Sequence, residues 1–543
     1  MNWIIANRKY LIPAVIILYI ISVMFNLGYT ELDGEEPRRA LISIEMLHSR
    51  NFISPTLFGW EYLNKPPVFN WILVLVMVVF GSAAEWVVRL PSLIFLLIWA
   101  FFHYRYMKNF LPQKVAALSA VFLLTCGEIY FYGLQNGGEI DVFYAFITYM
   151  QVIMMILFYE RRNWFSLFVF SYLFCAIGFL TKGFPSLLFQ VLTLVSLGLY
   201  ARSFRILFGW QHLAGILMFS LIAGGYLYLY SFYNSSSRLI VNLLQEALKK
   251  TPLHEAAGSV LSNVWLYPLR IFESLLPWSL IFILFFTRKF KVQLWQNKIL
   301  RFSLLFIICN VWVYWFFGML KPRYSYMFFP FFSVILAHTF YAYKSYSLNE
   351  KIFNLLGFLF VLILGATLVL TFLFPHYLFY GLMIFFILLV YVIIYFKIKQ
   401  QRIWFFAAGV ILVRLGYAAL YMPVMYSYSK SIKYRPVISE VAKVNQNRPI
   451  VFYAPADTIV FVIDHGFYRK DMGKMATPPE IFKQVPYYYY QATGHIVKYD
   501  TAIIENKKYF SYRPFLKNKE INELYSFFDS RMNAGFVLFE KVK

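Results

Sequence analysis

Long apolar stretches that recur along most of the chain constrain its fold more than any other feature. Runs of about 18–20 residues with few charges follow one another from Tyr10 to Tyr421, and each is long enough to cross roughly 30 Å of hydrocarbon. Lipid offers no hydrogen-bond partners, so such a run must satisfy its own backbone groups by forming a helix. The runs do not alternate between polar and apolar residues, which argues against a transmembrane β-barrel. We therefore expect an all-α polytopic membrane protein.

The composition agrees with this class. Hydrophobic residues make up 60% of the chain and charged residues 14%, against about 25% charged in soluble domains. The net charge of +24 is explained by basic cytoplasmic loops that also attract anionic lipid headgroups. No soluble basic domain stands out, so we expect membrane lipids and not nucleic acid as partners. The three cysteines, Cys126, Cys175 and Cys309, lie inside apolar runs, which disfavours a disulfide framework.

Positive charges orient the predicted helices. Basic residues precede the first run, which lacks a small-residue cleavage site and is expected to stay as an anchor with the N-terminus inside. The first span leaves residue 30 outside, and the basic turn around Arg105 is expected inside, so an odd number of crossings separates residue 30 from that turn. The stretch 87–107 supplies one crossing, whereas Asn70 to Gly81 is short for a span and is typical of an interfacial or re-entrant segment. Residues 30–86 then form one long outer loop.

The same reasoning along the rest of the chain predicts about thirteen crossings and two domains. Residues 1–423 are expected to form the transmembrane domain, with a second outer loop at 231–269, and residues 424–543 a small extracytoplasmic α/β domain. The β-rich runs 449–453, 459–463 and 535–539 indicate strands in that domain. The predicted spans lie near residues 10–27, 87–107, 114–133, 142–159, 164–181, 184–200, 211–230, 270–287, 300–318, 324–343, 353–374, 376–396 and 403–421.

Two clusters of charged residues fall in the first predicted outer loop. Asp33-Gly-Glu-Glu-Pro-Arg-Arg39 precedes a stretch with apolar residues at helical spacing, which indicates a helix on the membrane surface with carboxylates at its start. A solvated loop with a capping role would look the same. Tyr62-Leu-Asn-Lys-Pro-Pro67 is made rigid by its prolines, although Lys65 could also be an interfacial lysine that extends to headgroups.

Two further clusters lie at outer helix ends. Glu139 and Asp141 stand at a boundary between spans, where acids usually face the bundle interior or water. Lys182 lies in one tight outer turn, and the segment Lys321-Pro-Arg-Tyr324 lies in another. Basic residues on the outer side run against the charge rule, and a bound phosphate headgroup would account for them. Exceptions without function also occur.

These segments, taken in order, resemble a known superfamily. The chain is similar to the aminoarabinose transferases and protein mannosyltransferases, which are membrane glycosyltransferases of the GT-C class. The motif likeness covers about residues 1–345 and rests on Glu35-Glu-Pro-Arg38, Tyr62-Leu-Asn-Lys-Pro-Pro67, Arg89-Leu-Pro-Ser92, Asp141, Thr181-Lys-Gly183 and Lys321-Pro-Arg-Tyr324.

The resemblance implies a fold, a location and an activity. A GT-C-like helical core with an outer soluble domain is expected in a bacterial cytoplasmic membrane, with the C-terminal domain outside. The expected activity is transfer of a hexose or pentose from a polyprenyl-phosphate carrier to a lipid such as lipid A, to a glycan or to a protein. A single displacement predicts inversion at the anomeric carbon.

Residue by residue, the resemblance implies the following site. Glu35 stands where the family usually has the aspartate of an Asp-Glu pair, and Glu35 and Asp141 are the expected catalytic carboxylates. Asn64 replaces a family glutamate that binds metal in some relatives, which weakens the case for a metal; no cofactor is assigned, although a divalent metal remains possible and His254-Glu255 could contribute. The expected substrate-binding residues are Asp33, Glu36, Arg38, Tyr62, Lys65, Glu139, Lys182, Lys321, Arg323 and Tyr324.

Two other functions stay open. A transporter or flippase for an anionic lipid would use the same cations, but such proteins tend to show internal repeats and charged sites near the midplane, and neither is visible. If the protein were a sensor or scaffold anchored by helices, the order of the motifs would be a coincidence.

Overall fold

The computed structural model describes most of the chain. The described residues are 8–248, 257–286, 295–315, 321–342, 346–398, 402–428, 433–453, 479–500, 508–516, 520–529 and 534–541.

Apolar helices dominate the described residues, and the protein is a multi-pass membrane protein. Nine helical stretches within these ranges are long and apolar enough to cross a bilayer. The helix Asp141–Glu160 is the centre of the bundle, because 89% of its span is buried by other parts of the chain. The nine stretches are Glu85–Met107, Asp141–Glu160, Trp164–Lys182, Trp210–Ser231, Lys298–Trp315, Pro322–Ala342, Phe353–Leu373, Pro375–Lys397 and Arg402–Tyr428, and shorter apolar helices are Pro13–Met24, Val68–Phe80, Gln113–Leu124 and Pro185–Ala201.

Several of these stretches consist of more than one helical segment. The chain after Phe219 passes through a π-helical turn, Ser220–Gly224, before the helix Gly225–Ser231. Two other helices are continuous, the first described helix, Arg8–Met24, and the 28-residue helix Tyr346–Leu373. The other segments are Trp210–Phe219, Lys298–Asn310, Trp312–Trp315, Pro322–Phe328, Phe329–Ala342, Leu378–Lys397, Arg402–Gly416, Tyr417–Tyr421 and Met422–Tyr428.

Local signals explain where helices begin and end. The side chain of Asn163 accepts a hydrogen bond from the N–H of Ser166 and caps the helix Trp164–Lys182. Gly183, with φ of +84°, ends that helix, and Pro185 begins the next one, Pro185–Ala201. The tight predicted turn that carries Lys182 is thereby explained.

Two predicted spans differ from the structure. The stretch 114–133 is divided into the helix Gln113–Leu124 and the π-helix Glu128–Gly133, because the N–H of Gly127 bonds to the carbonyl of Leu276 instead of continuing the helix. The predicted span 270–287 is also interrupted. The helix Ala257–Ser274 ends before Pro277, which cannot donate a backbone hydrogen bond, and the 3₁₀ segment Trp278–Phe286 follows.

The first predicted outer loop folds into compact structure. It contains the surface helix Glu36–Ser49, a hairpin of β1 (Thr56–Leu57) and β2 (Trp60–Glu61), and the helix Val68–Phe80. The helix Val68–Phe80 has 13 residues and is therefore only about 20 Å long. It is too short to cross the membrane along the bilayer normal. The second predicted outer loop carries the helix Ser236–Leu248.

The C-terminal region, residues 433–541 as far as described, contains a five-stranded mixed sheet. In spatial order its strands are β4 (Lys498–Asp500), β3 (Val451–Tyr453), β5 (Lys508–Tyr512), β7 (Ala534–Lys541) and β6 (Ile521–Asp529). β3 is parallel to β4 and β5, and the other pairs are antiparallel. The predicted strands at 449–453 and 535–539 are present in β3 and β7, whereas the predicted strand 459–463 lies outside the described residues. The elements are the helix Tyr434–Val444, β3 (Val451–Tyr453), the helix Pro479–Thr493, β4 (Lys498–Asp500), β5 (Lys508–Tyr512), β6 (Ile521–Asp529) and β7 (Ala534–Lys541).

Candidate active site

Glu36 anchors the loop between the helices Arg8–Met24 and Glu36–Ser49. Its side chain is fully buried, and its Oε1 and Oε2 lie 3.0 and 2.9 Å from Nε and Nη2 of Arg89. The N–H of Gly138 donates to Oε1 at 3.0 Å. Because a bidentate pair fixes orientation as well as distance, Glu36 ties this loop to the span Glu85–Met107 and to the loop before Asp141.

Glu35 has a different set of partners. Its Oε2 lies 2.7 Å from Nη1 of Arg38, and its Oε1 lies 3.7 Å from Nζ of Lys483. About a third of its side chain (32%) stays exposed. Burial raises the pKa of this carboxyl, but the charges of Arg38, Lys483, Arg39 and Arg323 outweigh burial and hold the pKa of Glu35 well below its usual range. Glu35 is therefore ionised at neutral pH.

Asp141 is the meeting point of two cations. Its Oδ1 lies 2.7 Å from Nζ of Lys182, and its Oδ2 lies 3.1 Å from Nε of Arg323. Arg323 also reaches Glu139, with an Nη1–Oε2 distance of 2.6 Å. All four side chains are at most 9% exposed. The structure thus brings the predicted acids Glu139 and Asp141 and the predicted cations Lys182 and Arg323 together in one buried group.

Aromatic side chains surround the two cations. The Nζ atom of Lys182 lies 4.8 Å from the ring centre of Tyr144 and 4.6 Å from that of Tyr324, distances at which a ring face attracts a cation. The Nη1 atom of Arg323 donates to the hydroxyl of Tyr132 at 2.7 Å. These contacts restrict where either cation can move.

Glu139 has the opposite electrostatic environment from Glu35. Burial raises its pKa, Arg323 lowers it, and the negative charges of Asp141, Glu36 and Glu35 raise it again, with a net rise to about 8. A group with a pKa near neutral can accept or release a proton at physiological pH.

A small cleft lies beside the cluster. It has about 160 Å³ of empty space, a volume that includes open solvent. The lining residues are Tyr132, Gly133, Asn136, Glu139, Asp141, Val142, Arg323 and Tyr326.

The second predicted cluster, around Lys65, follows the hairpin. The hydroxyl of Tyr62 accepts a hydrogen bond from Nη2 of Arg39 at 3.2 Å, and the guanidinium of Arg39 lies 5.5 Å from the same ring. Asn64 is buried, and its Oδ1 has no hydrogen-bond partner among the described residues. Lys65 is half-buried.

Asp33 and Lys321 lie beside the buried groups in sequence but are more exposed. Asp33 is exposed, and its Oδ1 accepts the N–H of Gly34 at 2.8 Å. Lys321 is half-buried, and burial together with the charge of Arg323 lowers its pKa.

Sequence reasoning did not select four residues that contact the site. Arg89 belongs to a motif that carries the family resemblance, so its importance could have been inferred. Tyr132 and Tyr144 lie in stretches rich in aromatic residues, where nothing distinguishes them. Lys483 lies in a region without a motif match.

The described residues do not assemble a metal site. No three histidine, cysteine, aspartate or glutamate side chains within them are placed to hold an ion, and His254 and Glu255 lie outside the described residues.

Known proteins share this architecture. The structure of ArnT from Cupriavidus metallidurans bound to undecaprenyl phosphate matches over 97% of both chains, with a TM-score of 0.67 and 16% identity. The apo structure of that ArnT matches over 98% of both chains with a TM-score of 0.68. Residues 64–227 match the family described as dolichyl-phosphate-mannose-protein mannosyltransferase. The chain is similar to the aminoarabinose transferases and protein mannosyltransferases. The resemblance predicted from the motifs is confirmed.

Matches to curated relatives are shorter. The undecaprenyl phosphate-alpha-4-amino-4-deoxy-L-arabinose arabinosyl transferase of Pseudomonas savastanoi pv. phaseolicola is 40% identical over 65 residues, 12% of each chain. The enzyme of that name from Erwinia tasmaniensis is 30% identical over 184 residues, 32% of each chain. An uncharacterized protein of Aquifex aeolicus is 25% identical over 307 residues, 56% of this chain and 59% of that one. The chain therefore aligns with less than two thirds of the length of each of these relatives.

Proposed function

We propose that this chain is an integral membrane glycosyltransferase that moves a sugar from a polyprenyl-phosphate carrier to a lipid, glycan or protein acceptor. The observation that carries the proposal is the pair of buried cations, Lys182 and Arg323, bridged by Asp141. Buried charges in a membrane bundle are costly, so they indicate a function. The fold of an ArnT whose structure contains undecaprenyl phosphate supports a carrier of that kind.

Lys182 and Arg323 are the proposed contacts to the carrier phosphate. Without substrate, the carboxylate of Asp141 pairs with both cations, and Oε2 of Glu139 lies 2.6 Å from Nη1 of Arg323. As the bond between the anomeric carbon and the phosphate oxygen breaks, the carrier leaves as a phosphate monoester and gains negative charge. Preorganised cations stabilise that developing charge more strongly in a buried site than in water.

Glu35 is the proposed general base. It is ionised, and it is more exposed than Glu139 or Asp141, so an acceptor hydroxyl can reach it. The acceptor oxygen attacks the anomeric carbon, its proton passes to Glu35, and the carrier phosphate departs. One displacement of this kind inverts the anomeric configuration.

Asp141 and the other predicted residues have supporting roles in this proposal. Asp141 keeps Lys182 and Arg323 apart and directed at the phosphate, and Glu36 holds the loop that carries Glu35. Further substrate contacts are assigned to Asp33, Arg38, Tyr62, Lys65, Glu139, Lys321 and Tyr324. The proposed location is the bacterial cytoplasmic membrane, with the N-terminus inside and residues 424–543 outside.

The test is sugar transfer in isolated membranes. Membranes with the full chain receive undecaprenyl phosphates that carry different radiolabelled sugars, and new glycolipids and glycoproteins are identified by mass spectrometry. Glu35→Gln and Asp141→Asn should each abolish transfer, while Glu440→Gln, an exposed control, should not. Full activity in both site variants would refute the assignment, and movement of lipid without a new glycosidic bond would identify a transporter.

A further inference from the structure

The helix Pro479–Thr493, here named the docking helix, lies against the loop that carries Glu35. Nζ of Lys483 donates to the carbonyl of Gly34 at 2.8 Å. The N–H of Leu32 donates to the hydroxyl of Tyr488 at 2.9 Å. The docking helix therefore holds the backbone immediately before Glu35.

A second helix of the C-terminal region holds the same loop from its other end. The carboxylate of Glu31 accepts the N–H groups of Tyr434 and Arg435 at 3.0 and 2.6 Å, which satisfies free donors at the start of the helix Tyr434–Val444. The side chain of Arg435 also pairs with Glu85. The loop is thus held on both sides of its exposed residue, Asp33, by the C-terminal region.

Lys483 brings a charge as well as a hydrogen bond. Its side chain is 2% exposed, and a buried ammonium is costly unless an acid lies nearby. Glu35, at 3.7 Å, supplies that acid. Lys483 ranks after Arg38 among the charges that keep the pKa of Glu35 low. The carboxylate of Glu35 consequently lies between one cation from its own helix and one from the C-terminal region.

We propose that Lys483 is a positioning residue, so that the C-terminal region completes the active site. The inference rests on the proposed transferase function. Lys483 draws Oε1 of Glu35 away from Arg38 and fixes the carboxylate where it can take the proton of the acceptor. Without Lys483, both oxygens of Glu35 can turn to Arg38 and the base is misplaced. Lys182 and Arg323, the proposed contacts to the carrier phosphate, pair with Asp141 and Glu139, so we expect donor binding to be independent of the docking helix.

The experiment compares turnover and donor KM in full-length variants. Lys483→Gln removes the charge but can still donate to Gly34, and Lys483→Arg keeps the charge. Lys443→Met is the control, because Lys443 is exposed in the same region and pairs only with exposed Glu440 in the described structure. A misplacement of about 1 Å can cost around 100-fold in rate. Lys483→Gln should therefore lower kcat by about 10- to 100-fold with KM unchanged, and Lys483→Arg should recover most of the loss.

Each other outcome overturns the inference. Normal kcat in Lys483→Gln would leave the transferase function standing and remove the role of Lys483. A higher KM with normal kcat would make Lys483 a binding contact. Equal losses in Lys483→Gln and Lys443→Met, or a failure of Lys483→Arg to recover activity although its melting temperature matches the wild type, would indicate a general structural effect. A wild-type chain that transfers no sugar from any undecaprenyl phosphate donor would refute the transferase function, and the inference with it.

Discussion

Replacement of Glu36 by glutamine tests how the buried Glu36–Arg89 pair holds the loop beside the active site. Four N–H groups point at the two carboxylate oxygens: Nε and Nη2 of Arg89, and the backbone N–H groups of Gly138 and Asp33. Each oxygen accepts two of them. A glutamine amide has one oxygen and one NH₂ group, so in either orientation two donors face its NH₂ group. Arg89, which is 1% exposed, would also lose its negative partner.

The expected effect on stability is large. Removal of one partner from a buried ion pair costs about 3–5 kcal/mol, whereas loss of an exposed pair costs about 0–1 kcal/mol. Glu440→Gln is the matched control, because the Glu440–Lys443 pair has side chains that are 53% and 68% exposed.

Reversible unfolding in mixed detergent micelles measures both free energies of unfolding. A double-mutant cycle with Arg89→Met isolates the pair, and we expect a coupling energy above about 1 kcal/mol. If Glu36→Gln loses no more stability than Glu440→Gln, the loop is not held by this pair and the reasoning is wrong.

Three further predictions concern the surroundings of the site. In Gly137→Ala the new Cβ would lie 2.6 Å from the backbone oxygen of Arg89, so we expect the free energy of unfolding to fall by about 1–3 kcal/mol. The control is Gly365→Ala, which has open space around the new Cβ and should lose no stability. Glu139 has a pKa raised from 4.5 to about 8, so the folded state binds the extra proton and the stability contributed by this group falls as the pH rises from about 4.5 to 8. Melting temperatures across that range should fall more in the wild type than in Glu139→Gln, and parallel curves would contradict the raised pKa. Glu45→Gln should loosen the hairpin, because the buried carboxylate accepts one hydroxyl and two backbone N–H groups from it; faster proteolysis within the hairpin is the expected result, and an unchanged rate would count against this role.

The fold was predictable where structure depends on local sequence. Apolar length located the nine long helical stretches found among the described residues, because each helix satisfies its own backbone within one segment. The errors lie where distant backbone intervenes: the helix that begins at Gln113 stops near Gly127 because a carbonyl from residue 276 takes the Gly127 N–H. The count of thirteen crossings stays a prediction, as do the separate C-terminal domain and the roles assigned to the site residues.

The sequence by itself determined that this is a helical membrane protein that resembles a known superfamily, and which short segments carry its charged residues. Spacing of apolar residues and order of motifs are properties of the chain alone. Only the tertiary structure decided which charges meet: Lys182 and Arg323 on Asp141, Arg89 on Glu36, and Lys483 beside Glu35. Those pairings join residues up to 448 positions apart, and their electrostatics depend on burial and on distances of a few ångströms. Neither quantity is written in any local pattern, which is why Lys483 could not be found from the sequence.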